Sequence, residues 1–203
     1  MKGDGRVRIL GIAGSVRKKS FNKALLRSAF DVLPEDAVIE IFDISEIPFF
    51  NQDLEQHPPE IVRQFKNKIR QADAILFATP EYNFSIPGVL KNSIEWGSRP
   101  KGDNAWQGKT AALMSAATGM IGGERAQLHL RQVLLDLNMY AVNKPEVLVS
   151  FAERKFDADG RLLDPDAKKF LRELLENLVS LTRKLQRGRE EEQLLSATAR
   201  ATE

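Results

Sequence analysis

Residues 74–78 read Ala-Ile-Leu-Phe-Ala, an apolar run without one polar side chain, and this run constrains the fold more than any other feature of the chain. A strand with one wet face alternates apolar and polar residues. A short run that does not alternate is covered on both faces, as central parallel strands are. Parallel neighbours cannot be joined by tight hairpins and need long crossovers, usually helices. Strand and helix patterns should therefore alternate along the chain.

They do alternate. Residues 7–13 are short and β-rich and end at Gly14, and Asn22, Ala24, Leu25, Leu26, Ala29, Phe30 and Leu33 then fall at helical spacing. Ser20 or Phe21-Asn22 would open this helix and Pro34 would close it. A second strand is predicted at residues 38–44. After a segment holding Pro48, Pro58 and Pro59, a helix over 60–71 puts Ile61, Val62, Phe65 and Ile69 on one face. Residues 74–78 are the third strand, followed by a helix with Pro87 in its first turn that runs to about Gly97. Residues 110–115 read as the fourth strand, 122–138 as the fourth helix, 141–150 as the fifth strand and 165–186 as the last helix, with Phe170, Leu171, Leu174, Leu175, Leu178, Leu181 and Leu185 on one stripe.

This pattern predicts an α/β fold: one domain, residues 1–187, with a parallel sheet, helices on both faces and right-handed crossovers. Residues 188–203 are expected to form a charged, disordered tail. Ligands of such sheets bind beyond the carboxyl ends of the strands. Three loops then matter: 14–22, 80–85 and 115–123.

Composition narrows the chemistry. The 203 residues hold no cysteine, which excludes disulfides, thiolate metal sites and cysteine nucleophiles. Redox chemistry would have to come from a cofactor. Thirty basic and twenty-eight acidic side chains leave a formal charge of +2, too small for a phosphate-tracking nucleic-acid surface. The last sixteen residues carry two arginines against four glutamates, so the body before them carries +4. The longest uncharged stretch, 110–123, is fourteen residues rich in small side chains, whereas a membrane span needs about 20 apolar residues. A soluble, cytoplasmic chain that binds neither nucleic acid nor membrane is expected.

The first loop, Gly14-Ser15-Val16-Arg17-Lys18-Lys19-Ser20-Phe21-Asn22, runs from a strand end into a helix start, where free N–H groups and the helix dipole favour an anion. Ser15 and Ser20 offer hydroxyls, Asn22 an amide and Arg17 a charged fork. It is not a P-loop, because Val16, Arg17 and Lys18 occupy the Gly-Lys-Ser/Thr places; a dinucleotide GxGxxG would need glycines at Ala13 and Val16. A monophosphate is the economical guest. The second loop, Pro80-Glu81-Tyr82-Asn83-Phe84-Ser85, combines rigid backbone with aromatics and suits a flat heteroaromatic ring. The third begins at Ser115-Ala116-Ala117-Thr118-Gly119 and lets backbone approach a ligand closely.

Gly14-Ser15-x-Arg17-x-x-Ser20-x-Asn22, with Pro80-Glu81-Tyr82-Asn83-x-Ser85-x-Pro87-Gly88-x-Leu90-Lys91-Asn92, resembles the NADPH-dependent FMN reductase family. These are flavodoxin-like quinone, chromate and azo-dye reductases. The resemblance implies a doubly wound five-stranded sheet of order 2-1-3-4-5, bound FMN, and NADPH or NADH as co-substrate. It assigns the phosphate to Ser15, Arg17, Ser20 and Asn22, with backbone N–H groups between them, as at Val16 and Phe21, and the isoalloxazine and ribityl edge to Pro80, Glu81, Tyr82 and Asn83, with Ser115, Ala116 and Gly119 also at the cofactor. It also implies a homodimer or homotetramer. The sequence adds a hint of its own on the fourth helix: Ala126, Leu130, Val133 and Leu137 make a core stripe, while Leu128, Leu135 and Met139 lie roughly opposite, as for a subunit interface.

The reaction implied is ping-pong transfer of electrons from NAD(P)H through FMN to quinones, chromate, azo compounds or free flavin. No catalytic side chain is required, since the chemistry sits on the flavin. Consistently, His57 and His129 read as structural or solvated, no HExxH or GxSxG occurs, and no metal site is expected. Trp96 and Trp106 read as packing residues. The alternative is an FMN-binding electron carrier or regulatory flavoprotein that does not turn over NAD(P)H.

Overall fold

Hydrogen bonding in the computed structural model, which describes residues 5–201, joins β1 (Val7–Ala13), β2 (Ala37–Phe42), β3 (Ala74–Ala78), β4 (Thr110–Ala116), β5 (Tyr140–Ala141) and β6 (Val147–Val149) into one parallel sheet. Its order is β2-β1-β3-β4-β5, with β6 also paired to β4. The apolar run is central and every residue of β3 is buried. The expected order 2-1-3-4-5 is found, with a sixth strand added.

The fifth strand expected over 141–150 is in fact two. β5 pairs with the start of β4 through Thr110↔Tyr140, and β6 with its end through Ala116↔Val149. Pro145 falls between them and has no N–H to give a ladder.

Helices cover both faces. α1 (Phe21–Ser28) continues as a 3-10 turn to Val32, and it packs with α5 (Pro165–Ala201) on one face. There Leu25, Leu26, Leu171, Leu174, Leu175 and Leu178 are wholly or almost wholly buried. Each such leucine contributes about 1.5–3 kcal/mol over an exposed one. α2 (Glu60–Gln71), α3 (Gly88–Ser98) and α4 (Glu124–Asp136) cover the other face around Phe65, Trp96 and Trp106. Both tryptophans are packing residues, their indole N–H groups donating to the carbonyls of Pro48 and Ile94.

Three helix details depart from the expected pattern. Phe170 is exposed, off the α5 core stripe. Past Gln186, where a disordered tail was expected, α5 stays helical to Ala201, through residues rich in Glu, Arg and Ala that sustain the i→i−4 ladder without a core. On α4 the buried apolar residues are Ala126, Leu130 and Leu134, with Val133 only half-buried, and Leu128 and Leu135 are exposed as expected. Met139, placed on that outer stripe, is buried. Asn138 takes a left-handed φ of 56°, and Asn138 and Met139 donate N–H bonds back to the Leu135 and Leu134 carbonyls. This helix-ending motif folds the residue after the reversal onto Leu134.

Candidate functional site

β1 and β3 end level with each other, in the register Ala13↔Ala78, and β4 runs two residues past Met114, the partner of Ala78. The three loops that follow them meet there around a cavity of about 340 Å³. From the first loop, Ser15, Arg17, Ser20, Phe21 and Asn22 line it; Pro80, Glu81 and Tyr82 come from the second, and Ala116, Ala117 and Thr118 from the third. One end is therefore polar and cationic, and the other is built of proline, tyrosine and small side chains.

The cationic end is the start of α1. Ser20 is the N-cap and accepts the Lys23 N–H at 3.3 Å, which fixes the first turn. Ser15 is buried and accepts the Arg17 N–H at 3.4 Å, and the Arg17 guanidinium lies 5.6 Å from the Phe21 ring centre. With no acid in its first turn, α1 leaves its positive end to a guest anion.

Asn22 has another task. Its amide donates to the Ala116 carbonyl at 2.8 Å and accepts the Ala116 N–H at 2.9 Å. β4 overhangs β3 by two residues here, since β3 stops opposite Met114. Asn22 thus pairs backbone groups that no strand reaches, and ties the first loop to the third. The amide expected to donate to a phosphate is spent on the protein.

The second loop is a two-residue hairpin, with Tyr82 and Ser85 exchanging backbone bonds of 2.9 and 3.0 Å. Asn83 and Phe84 at its tip both have left-handed φ, 50° and 66°, as a type I′ turn demands. Asn tolerates this; a bulky Phe does so only when held. The Arg125 guanidinium lies 4.1 Å from the Phe84 ring centre, and Ser85 Oγ lies 3.0 Å from Nδ1 of exposed His129. Glu81 lines the cavity, but its carboxylate is engaged by the start of α4. It accepts the N–H groups of Arg125 at 3.0 Å and Ala126 at 3.4 Å, and pairs with the Arg125 side chain at 3.2 Å. The N-cap of α4 is Gly123, which has no side chain, so Glu81 caps the helix from across the site.

Four expected residues are not in the lining. Ser115 is fully buried: its hydroxyl donates to the Gly122 carbonyl at 2.6 Å and accepts from Gln127 at 2.8 Å. Gln127 also donates to the Val147 carbonyl at 3.0 Å, so the pair anchors the third loop. Gly123, at φ 92°, leaves the room for this, because a Cβ there would sit 2.8 Å from that of Ser115. Val16 and Asn83 turn outward to solvent, and Gly119 is exposed beyond the rim. In their place stand Ala117 and Thr118. The sequence signal for them was their place directly after β4.

A parallel sheet whose carboxyl edge carries a helix start suited to an anion, flanked by two loops that suit a flat ring, has the form of a flavodoxin-like cofactor binder. The donor set of two serines, an arginine and a helix start suits a monophosphate. Comparison with known proteins gives the family: the chain belongs to the NADPH-dependent FMN reductases, whose family model matches residues 7–154. It is thus an oxidoreductase of the class that uses FMN and NAD(P)H. An NAD(P)H-dependent FMN reductase of Pseudomonas aeruginosa is 47% identical over 88% of this chain and 97% of its own length. An NAD(P)H:quinone oxidoreductase of Solanum tuberosum is 44% identical over 88% and 94%. The solved structure of FerB, a flavoenzyme NAD(P)H:(acceptor) oxidoreductase from Paracoccus denitrificans, superposes with a TM-score of 0.81 at 34% identity, covering 88% of this chain and 98% of that one.

Proposed function

We propose that this cavity holds FMN, with the phosphate at Ser15, Arg17, Ser20 and the first turn of α1, and the ring between the 80–83 and 116–118 backbones. The observation that carries the reading is the junction of a cationic helix start with two aromatic and small-residue loops in one cavity. When bound, FMN supplies the redox chemistry, taking a hydride from NAD(P)H and passing two electrons to a quinone or a similar small acceptor. Arg17 gives the charged fork to the phosphate oxygens, and the two serines give it hydroxyls. Asn22 and the Ser115–Gln127 pair hold the first and third loops at fixed separation. The Glu81 cap and the Arg125–Phe84 stack hold the hairpin that borders the ring. Tyr82 stands half-exposed at the mouth, where nicotinamide and acceptor would enter in turn. No helix among the described residues is long and apolar enough to cross a membrane. We place the protein in the cytoplasm, as a homodimer or homotetramer using the exposed Leu128 and Leu135 of α4.

The test is the visible spectrum of the purified protein after FMN addition, followed anaerobically by NADPH or NADH and then a benzoquinone. A bound yellow chromophore, bleached by the nucleotide and restored by the quinone, is expected. Replacing Arg17 with alanine should raise the FMN dissociation constant about tenfold or more, the loss of a charged hydrogen bond. Failure to bind FMN would overturn the reading; binding without bleaching would leave an electron carrier instead.

A further inference from the structure

A second cavity, of about 380 Å³, lies on the other side of the first loop, toward the sheet edge formed by β2. Its floor is apolar, made by Ala13 at the end of β1, Leu26 of α1, and Ile41 and Phe42 at the end of β2. Lys18, Lys23 and Arg27 stand around this floor, with Asp43 as the one acid. Asp43 is already engaged: it accepts the Ser45 N–H at 2.9 Å and meets Lys23 at 3.4 Å. Neither Lys18 nor Arg27 has a carboxylate partner among the described residues. Two positive charges, both exposed to solvent and without a carboxylate partner, therefore stand beside an apolar shelf, an arrangement that suits a flat ring carrying phosphate.

The chemistry of the reaction supplies such a ligand. The cavity sits at β1 and β2, and the ring end of the flavin cavity at β3 and β4. At about 4.8 Å per strand the two are ~10–15 Å apart, a distance a dinucleotide bridges. Lys18 belongs to the same loop as Ser15 and Arg17, so that loop forms the wall between the cavities. We propose that this second cavity receives the 2′-phosphoadenosine end of NADPH, the base lying on Leu26, Ile41 and Phe42 and the 2′-phosphate meeting Lys18 and Arg27. The chain then prefers NADPH to NADH. This rests on the NAD(P)H-dependent reading above.

The test combines kinetics with a titration. In the FMN-loaded Lys18→Ala/Arg27→Ala variant, KM for NADPH should rise about tenfold or more, with KM for NADH, kcat and FMN affinity unchanged, because only a phosphate contact is lost. By calorimetry, adenosine 2′,5′-bisphosphate should bind the unmodified holoenzyme, more weakly in higher salt and more weakly to the variant; adenosine 5′-monophosphate should bind less well than the bisphosphate. An unchanged NADPH-to-NADH ratio in the variant would overturn the proposal, as would equal losses for both nucleotides. If neither nucleotide reduces the flavin, the functional reading fails, and the bisphosphate titration alone then decides whether the cavity is a phosphoadenosine site.

Discussion

Replacing Asn22 with alanine removes both bonds that hold Ala116, the donor at 2.8 Å and the acceptor at 2.9 Å. Ala116 is buried, so its N–H and C=O are left without partners, at about 1–3 kcal/mol for each group. The neighbouring cavity admits water that recovers part of this, which puts the loss at about 2–4 kcal/mol. A domain of this size loses ~2–4 °C of melting temperature per kcal/mol, so thermal unfolding of the FMN-free protein should move down by about 5–15 °C. FMN affinity should fall with it, because the first and third loops are no longer tied. Asn22→Asp separates the two effects. The carboxylate still accepts the Ala116 N–H, but it sets a second oxygen against the Ala116 carbonyl and adds negative charge beside the phosphate end. It should therefore weaken FMN more than alanine does, at a similar melting temperature. Circular dichroism melts and flavin fluorescence titrations measure both quantities. A melting temperature within about 1 °C of the parent for Asn22→Ala would refute the clamp, and equal FMN affinities for the two variants would refute the charge argument.

Two further outcomes follow from the packing. Gly97→Ala should be strongly destabilising, by about 3 kcal/mol or more in a denaturant titration, although alanine is the better helix former, because the new Cβ would stand 2.3 Å from Nε1 of the buried Trp106; a neutral result would mean that the indole can move aside. At Asp103, burial pushes the carboxyl upward, but hydrogen bonds and charge from Lys66 and Arg70, at 2.7 and 2.6 Å, outweigh it and hold the group below its ordinary value of 3.8. A depressed folded-state value stabilises the fold above the unfolded value, and this contribution is lost as pH falls through the folded one. The stability gap between the parent and Asp103→Asn should be constant near neutral pH and close below about pH 4; a gap unchanged in acid would show that the carboxylate charge is not its source.

The element order, the central buried strand and the three loops at the carboxyl edge of the sheet were legible because each is written in local signals. The unbroken apolar run at 74–78, Ser20 before a helical stripe, and prolines at boundaries act over a few residues. The break at Pro145 was equally local, but the fifth strand was expected to run through it. Side-chain assignment within the loops was harder to read, since a polar residue beside a cavity can face the guest or the protein. Ser15, Arg17 and Ser20 line the cavity. Asn22, Glu81 and Ser115 spend their polar groups on Ala116, the start of α4, and Gly122 with Gln127.

By itself, then, the sequence determined the class of fold and the edge of the sheet where the three loops gather, and it pointed to an anion there. Only the tertiary structure decided which of the candidate side chains face the cavity. The Asn22–Ala116 pair spans 94 residues, and the Glu81–Arg125 pair 44. Such pairings exist only once β1, β3 and β4 lie side by side and leave backbone groups at the sheet end that some side chain must satisfy.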